Sequence, residues 1–295
     1  MENLFQTWPW YISGFLIGMT MLALIFFGKA FGMSSNLSTL CSMTGIGNRV
    51  PFFNYDWKLH RWNLIVVLGA MLGGYIAVHF MSDASNVAIN PKTIAQLAQL
   101  GIDAPNGKLL PNTLFGNDIF QSPKMILILI IGGILIGFGT RYASGCTSGH
   151  AISGLSNFQI KSLKAVIGFF FGIVLTKSEA VSWYRIYEMF QFQSFHMYGI
   201  IMVAVITGAI GIQIIKKKKI KDIKGLPIAI LDKEPGSTRF WIGGIIFGLG
   251  WALVGSCPGP IFILLGAGFL PVILILFGAL FGTFLYGLVR DKLPH

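Results

Sequence analysis

Long apolar runs separated by short polar stretches set the first expectation. Seven of them, residues 11–27, 62–81, 125–142, 163–175, 197–215, 240–254 and 271–289, approach the length of about 20 mostly apolar residues that a membrane-crossing helix needs. The pattern predicts an all-α polytopic membrane protein with about seven full spans. The fourth and sixth runs are short and border Gly/Ser/Pro-rich segments, which predicts broken or re-entrant helices there. Of the polar segments, residues 82–124 carry a surface-helix signature: Asn90 as N-cap, Pro91 at the first helical position and Gly101 as the stop. Residues 225–237 read as a linker, with Pro227, Pro235 and Gly236 as breakers. They suggest a seam between an N-terminal membrane half, 1–225, and a C-terminal one, 226–295.

Composition agrees with that class. Of 295 residues 54% are hydrophobic and 11% charged, and the mean hydropathy is +0.71, whereas a soluble domain carries about 25% charged residues. The net charge of +11 invites a nucleic-acid reading, but the densest basic run, Lys216 to Lys219 with Lys221 and Lys224, abuts an apolar run of spanning length. Basic residues flanking a span mark the cytoplasmic side and attract anionic lipid headgroups. With that run inside, Arg49, Lys58, Arg61, Lys161, Lys164, Arg290 and Lys292 all fall inside too. The segment 82–124 then lies outside, the N-terminus outside and the C-terminus in the cytoplasm. Residues 1–10 hold Glu2 and no Lys or Arg, so the first run reads as a span and not as a cleavable signal peptide.

A repeat carries the most information. The stretch from Gly133 through Gly137 and Gly139 to Cys146 aligns without gaps to the stretch from Gly244 through Gly248 and Gly250 to Cys257. Each continues in small residues, Thr147-Ser148-Gly149 in one copy and Pro258-Gly259-Pro260 in the other. A looser echo, Gly14 to Gly18, opens the first run and is followed at longer distance by Cys41. The two close copies start three spans apart and therefore cross in opposite senses, as in an inverted-repeat transporter. Glycines four apart, Gly133/Gly137, Gly168/Gly172, Gly244/Gly248 and Gly278/Gly282, predict close helix packing.

The glycine-rich breaks beside cysteine are the candidate sites. Non-helical backbone at membrane depth is tolerated where protein buries it or it lines a cavity, and a helix restarting there aims its first amides at that cavity, a place for an anion. Cysteine is also an ordinary small buried hydrophobe, so Cys41, Cys146 and Cys257 each have a packing reading beside a functional one. The repeat favours function for Cys146 and Cys257. Arg141, five residues before Cys146, is either a substrate contact or a side chain reaching the interface. His150 is either a tuner of the Cys146 thiol or an interfacial histidine. Disulfide pairing and a closed metal site are both disfavoured, the first by opposed loops and an odd thiol, the second by too few ligands. No cofactor motif, hydrolase constellation or energy-coupling domain is visible.

At these residues the chain resembles the YeeE/YedE family of bacterial inner-membrane sulfur transporters. Gly145-Cys146-Thr147-Ser148-Gly149-His150 is similar to the family signature, and the run Phe247 to Pro260 resembles the motif of its half-length second component, so the chain looks like a fusion of two half-size members. The resemblance implies uptake of thiosulfate along a narrow path in which Cys41, Cys146 and Cys257 hydrogen-bond the anion in turn, without a large rocking motion. Gly145, Thr147, Ser148, Pro258 and Gly259 would line it, and a cytoplasmic sulfurtransferase-type partner would receive the sulfur. Two other classes stay open from residues alone: a membrane thiol enzyme using Cys146 as nucleophile, and a non-transporting subunit of a membrane complex.

Overall fold

The computed structural model describes residues 7–26, 33–81, 87–105, 108–143, 161–221, 225, 227–228 and 237–293. In chain order its helices are α1 (Trp10–Phe26), α2 (Ser35–Met43), α3 (Arg61–Phe80), α4 (Pro91–Gln99), α5 (Asn112–Phe115), α6 (Pro123–Tyr142), α7 (Lys161–Lys177), α8 (Trp183–Phe190), α9 (His196–Lys218), α10 (Ser237–Val254), α11 (Pro258–Gly266) and α12 (Val272–Val289). Each of the seven apolar runs is helical. Helices α3, α6, α9, α12 and the α10–α11 run are long and apolar enough to cross a membrane, while α1 and the stretch Ile167–Lys177 are shorter apolar helices. The protein is an all-α polytopic membrane protein.

Glycine sets the closest helix contacts. A methyl group on Gly133 or Gly137 of α6 would overlap the Ile275 or Ala279 carbonyl of α12, and one on Gly278 or Gly282 would overlap the Ile130 or Ile134 carbonyl of α6. On the other side of the bundle Gly168 and Gly172 of α7 sit against Val66 and Ala70 of α3 in the same way. In lipid, association rests on such backbone approach, because apolar side chains gain little by leaving one apolar phase for another. The fourth expected pair does not behave so. Added carbons at Gly244 and Gly248 would meet nothing within 4 Å, whereas Gly243 and Gly250 of the same helix press on Ala143 and Ile136 of α6. Spacing put these glycines on one face, but that face points away from the bundle.

Two of the helices are short and begin inside the bundle. Val254, the last residue of α10, packs into Gly132, halfway along the 20-residue α6. The chain then breaks at Gly255–Cys257 and restarts as α11, whose Ile263 and Gly266 rest on Gly74 and Met71 of α3. The short sixth span and its break are thus as expected from sequence. The small polar residues around Cys41, read as a loop, are helical over Ser35–Met43 instead. Their hydroxyls bond back within the helix, Ser38 Oγ and Thr39 Oγ1 each donating to the Ser35 carbonyl at 2.9 and 3.1 Å. The surface helix α4 matches its signature: Asn90 Oδ1 accepts from the Lys92 N–H at 2.9 Å, and Gly101 follows with φ +70°.

Candidate functional site

Cys257 is the N-cap of α11, in extended backbone with φ −95° and ψ 171°. Pro258 and Pro260 carry no N–H, and the Ile261 N–H donates to the Cys257 carbonyl at 3.2 Å. The first turn of α11 therefore offers its cavity side the Gly259 N–H and little else. The approach to Cys257 depends on glycine. Gly255 has φ +60°, and a side chain there would strike the Trp183 ring. Cys257 and Gly259 line a cavity of about 100 Å³ together with Trp251 and the mainly apolar side chains Ile17, Met21 and Phe171.

A second set of polar groups stands at the start of α2. Met33 lies next to Gly259, 3.6 Å from a carbon built on it, so α2 and α11 begin side by side. Arg141, reaching from the end of α6, donates to Ser34 Oγ at 3.0 Å and to Ser38 Oγ at 3.2 Å. A guanidinium at the start of a helix faces the positive end of its dipole, an arrangement that an anion between them would relieve. Arg290, whose guanidinium lies 5.3 Å from the Phe52 ring centre, and Arg239, 5.0 Å from that of Phe240, add further positive charge to the bundle. Cys41 lies at the far end of α2, eight residues or roughly 12 Å of helix from Met33. Its thiol donates to the Leu280 carbonyl of α12 at 3.7 Å, and it is packed with Val50 and Phe53.

Helix α8 covers the Cys257 break from one side and is held by buried charge. Arg185 pairs with Glu179 at 2.7 Å and with Glu188 at 3.4 Å. Glu188, 0% exposed, also accepts from the Asn90 N–H and Thr93 Oγ1. At the start of α8 the Leu109 carbonyl accepts from the Trp183 N–H and from Ser182 Oγ, both at 3.1 Å. Asp103 fixes the segment that carries Leu109 by accepting from Asn112 N–H and Thr113 N–H, each at 2.9 Å. Asp103 is partly buried, which opposes ionisation, yet these donors outweigh burial and hold its carboxyl below the usual carboxylate range.

Of the residues singled out in the sequence, the structure brings Arg141, Cys257, Pro258 and Gly259 to the meeting of α2 and α11 and places Cys41 further along α2, one turn beyond the Ser38 that Arg141 contacts. Gly145, Cys146, Thr147, Ser148 and His150 lie outside the described residues. Sequence reasoning missed Ser34, Ser38, Trp183, Trp251 and Ser256. A signal for three positions existed in the repeat itself, where the copies differ in chemistry: Thr140 against Trp251, Arg141 against Ala252, and Gly145 against Ser256. Among the described residues no three His, Cys, Asp or Glu side chains gather as metal ligands.

The Sulphur transport family matches residues 115–175 and 183–291, more than half of the chain. A protein of Xylella fastidiosa strain Temecula1 named probable transporter is 32% identical over 111 residues, which are 34% of this chain and 81% of that protein. Another of the same name, from strain 9a5c, is 40% identical over 109 residues, again 34% of this chain and 81% of its own length. No solved structure matches the chain. Family and relatives agree on transport and not on catalysis: the chain belongs to the sulphur transport family and is a multi-pass membrane transporter.

Proposed function

We propose that the chain takes up thiosulfate, or a similarly small sulfur-containing anion, along a path that passes where α2 and α11 begin. The contact between Met33 and Gly259 carries this reading. It joins a thiol at one helix start to a guanidinium and two hydroxyls at the other. A neutral thiol is a weak donor, and conduction needs sites favourable enough to enter and weak enough to leave. Arg141 supplies charge to offset the loss of hydration as the anion passes, and its commitment to Ser34 and Ser38 limits how tightly it holds the ion.

By the repeat and the family resemblance, Cys146 is the counterpart of Cys257 and receives the anion next, with Gly145, Thr147, Ser148 and His150 around it. Cys41 is the third and weakest thiol of the path. The family resemblance supports an inner-membrane location, and the basic residues support an N-terminus outside, a cytoplasmic C-terminus and Lys216–Lys219 against anionic lipid. A sulfurtransferase-type protein in the cytoplasm would consume the product. Fusion of two half-size members, joined near residues 225 and 226, accords with relatives of which 81% corresponds to 34% of this chain.

The direct test is uptake of radiolabelled thiosulfate by proteoliposomes holding the purified chain. The expected result is time-dependent accumulation that Cys146→Ala and Cys257→Ala each reduce by about tenfold or more, with Cys146→Ser retaining more than Cys146→Ala because a hydroxyl still donates. Flux no greater than that of protein-free vesicles would remove the reading.

A further inference from the structure

Three buried donors near Cys257 have no hydrogen-bond partner among the described residues: Trp183 Nε1, Trp251 Nε1 and Ser256 Oγ. Ser256 is 0% exposed and Trp183 is 3% exposed. They gather around one turn. The Trp183 ring lies against Gly255, and Ser256 is the next residue. Trp251, one turn back along α10, borders the cavity that Cys257 and Gly259 also line, while Trp183 and Ser256 stand behind its wall at the Gly255 turn. An indole N–H can only donate, and a hydroxyl donates readily, so what this turn lacks is an acceptor. Buried polar groups are nearly always paired, and an unpaired one calls for an explanation such as a ligand.

Their positions are fixed without any ligand. Trp251 stacks on Phe247 at 5.6 Å and meets Phe190 edge-on at 5.6 Å. Trp183 stacks on Tyr187 at 5.1 Å, and the Leu109 carbonyl holds its backbone N–H. Donors already oriented lose little freedom when an anion arrives. The two prolines of α11 strip main-chain donors from this helix start, so side chains must supply what amides supply at other anion-binding helix starts.

Resting on the transport reading above, we propose that Trp183, Trp251 and Ser256 complete the Cys257 station as an anion site made only of neutral donors. With no cation among the described residues that line it and mostly apolar walls, such a site repays less of an anion's dehydration than a cationic one would. It therefore disfavours sulfate relative to thiosulfate, whose terminal sulfur is softer and less hydrated than an oxygen, and accepts the weakly hydrated thiocyanate readily.

Trp251→Phe, Trp183→Phe and Ser256→Ala each delete one donor with little change of shape. In proteoliposomes each raises the KM for thiosulfate roughly tenfold, the size expected for one hydrogen bond to a charged group, with Vmax nearly kept. In detergent, thiosulfate and thiocyanate shift the intrinsic tryptophan fluorescence of the full chain, sulfate does not, and Trp251→Phe loses the shift. Trp241→Phe, which removes an indole 73% exposed, behaves as the unaltered protein. Folded variants with unchanged KM and unchanged fluorescence response would show that the donors serve packing or bind water, and would overturn the proposal. If the unaltered chain moves no thiosulfate, the transport reading fails, but the site stands or falls separately by its fluorescence response to the two soft anions.

Discussion

The two helix starts that meet at the centre of the bundle solve the same problem with opposite chemistry. Around Cys257 the described residues that line the cavity are neutral: the thiol, the Gly259 backbone N–H and mostly apolar side chains. Around the start of α2 there are Arg141 and two serine hydroxyls. An anion in the first setting is held by short-range donors, and in the second by charge that still acts through a few ångströms of protein. Placing a weak neutral site beside a cationic one gives the ion a reason to move on from the first and, because the guanidinium is already committed to Ser34 and Ser38, no deep trap in the second. The thiols differ as well. Cys257 borders a cavity, whereas the Cys41 thiol donates a hydrogen bond to the Leu280 carbonyl inside an apolar cluster.

That contrast can be broken from either side. The largest effect is expected from Cys257→Ala, which should cut thiosulfate uptake by tenfold or more, by roughly the value of a hydrogen bond to a charged group, while the melting temperature reports a stability change within about 1 kcal/mol. Glu188→Ala attacks the cover over the same site. It leaves Arg185 with half its buried pairing and should destabilise the fold by about 3–5 kcal/mol, seen as a lower melting temperature and reduced uptake per inserted protein. On the cationic side, Arg141→Gln should slow uptake about tenfold, and Arg141→Lys only a few-fold, because an ammonium keeps the charge but not the two-pronged contact to Ser34 and Ser38. Equal losses for Gln and Lys would mean that geometry, not charge, is what Arg141 contributes. The smallest effect belongs to Cys41→Ala, with uptake reduced less than about threefold, since the substitution removes a weak donor from a packed cluster. A loss as large as that of Cys257→Ala would erase the distinction between the two thiols.

What was legible in the sequence was whatever local pattern decides. The apolar runs announced seven helices, and Asn90, Pro91 and Gly101 announced α4, because spans and caps are written in consecutive residues. The break before α11 was legible because Gly255 and Pro258 forbid a continuous helix and the repeat pointed to Cys257. Residues 35–43 misled, since serine and threonine favour turns until burial and back-bonding to the Ser35 carbonyl make a helix cheaper. Gly244 and Gly248 misled for another reason: a four-residue spacing tells which residues share a face, not what that face meets. The repeat pointed to Trp251 and Ser256, but that these donors and Trp183 lack partners was beyond reach, because it is a property of everything around them and not of the residues themselves.

The glycine seams have a consequence for how the chain may be divided. Helices α10, α11 and α12 are not a separate lobe: α12 interlocks with α6 through Gly133, Gly137, Gly278 and Gly282, α10 presses on α6 through Gly139 and Gly250, and α11 rests on α3 through Gly74 and Gly266. A gene cut between α9 and α10 and expressed as two fragments would still encode complementary partners, each useless alone and competent once they dock, so the covalent bond there sets stoichiometry more than structure.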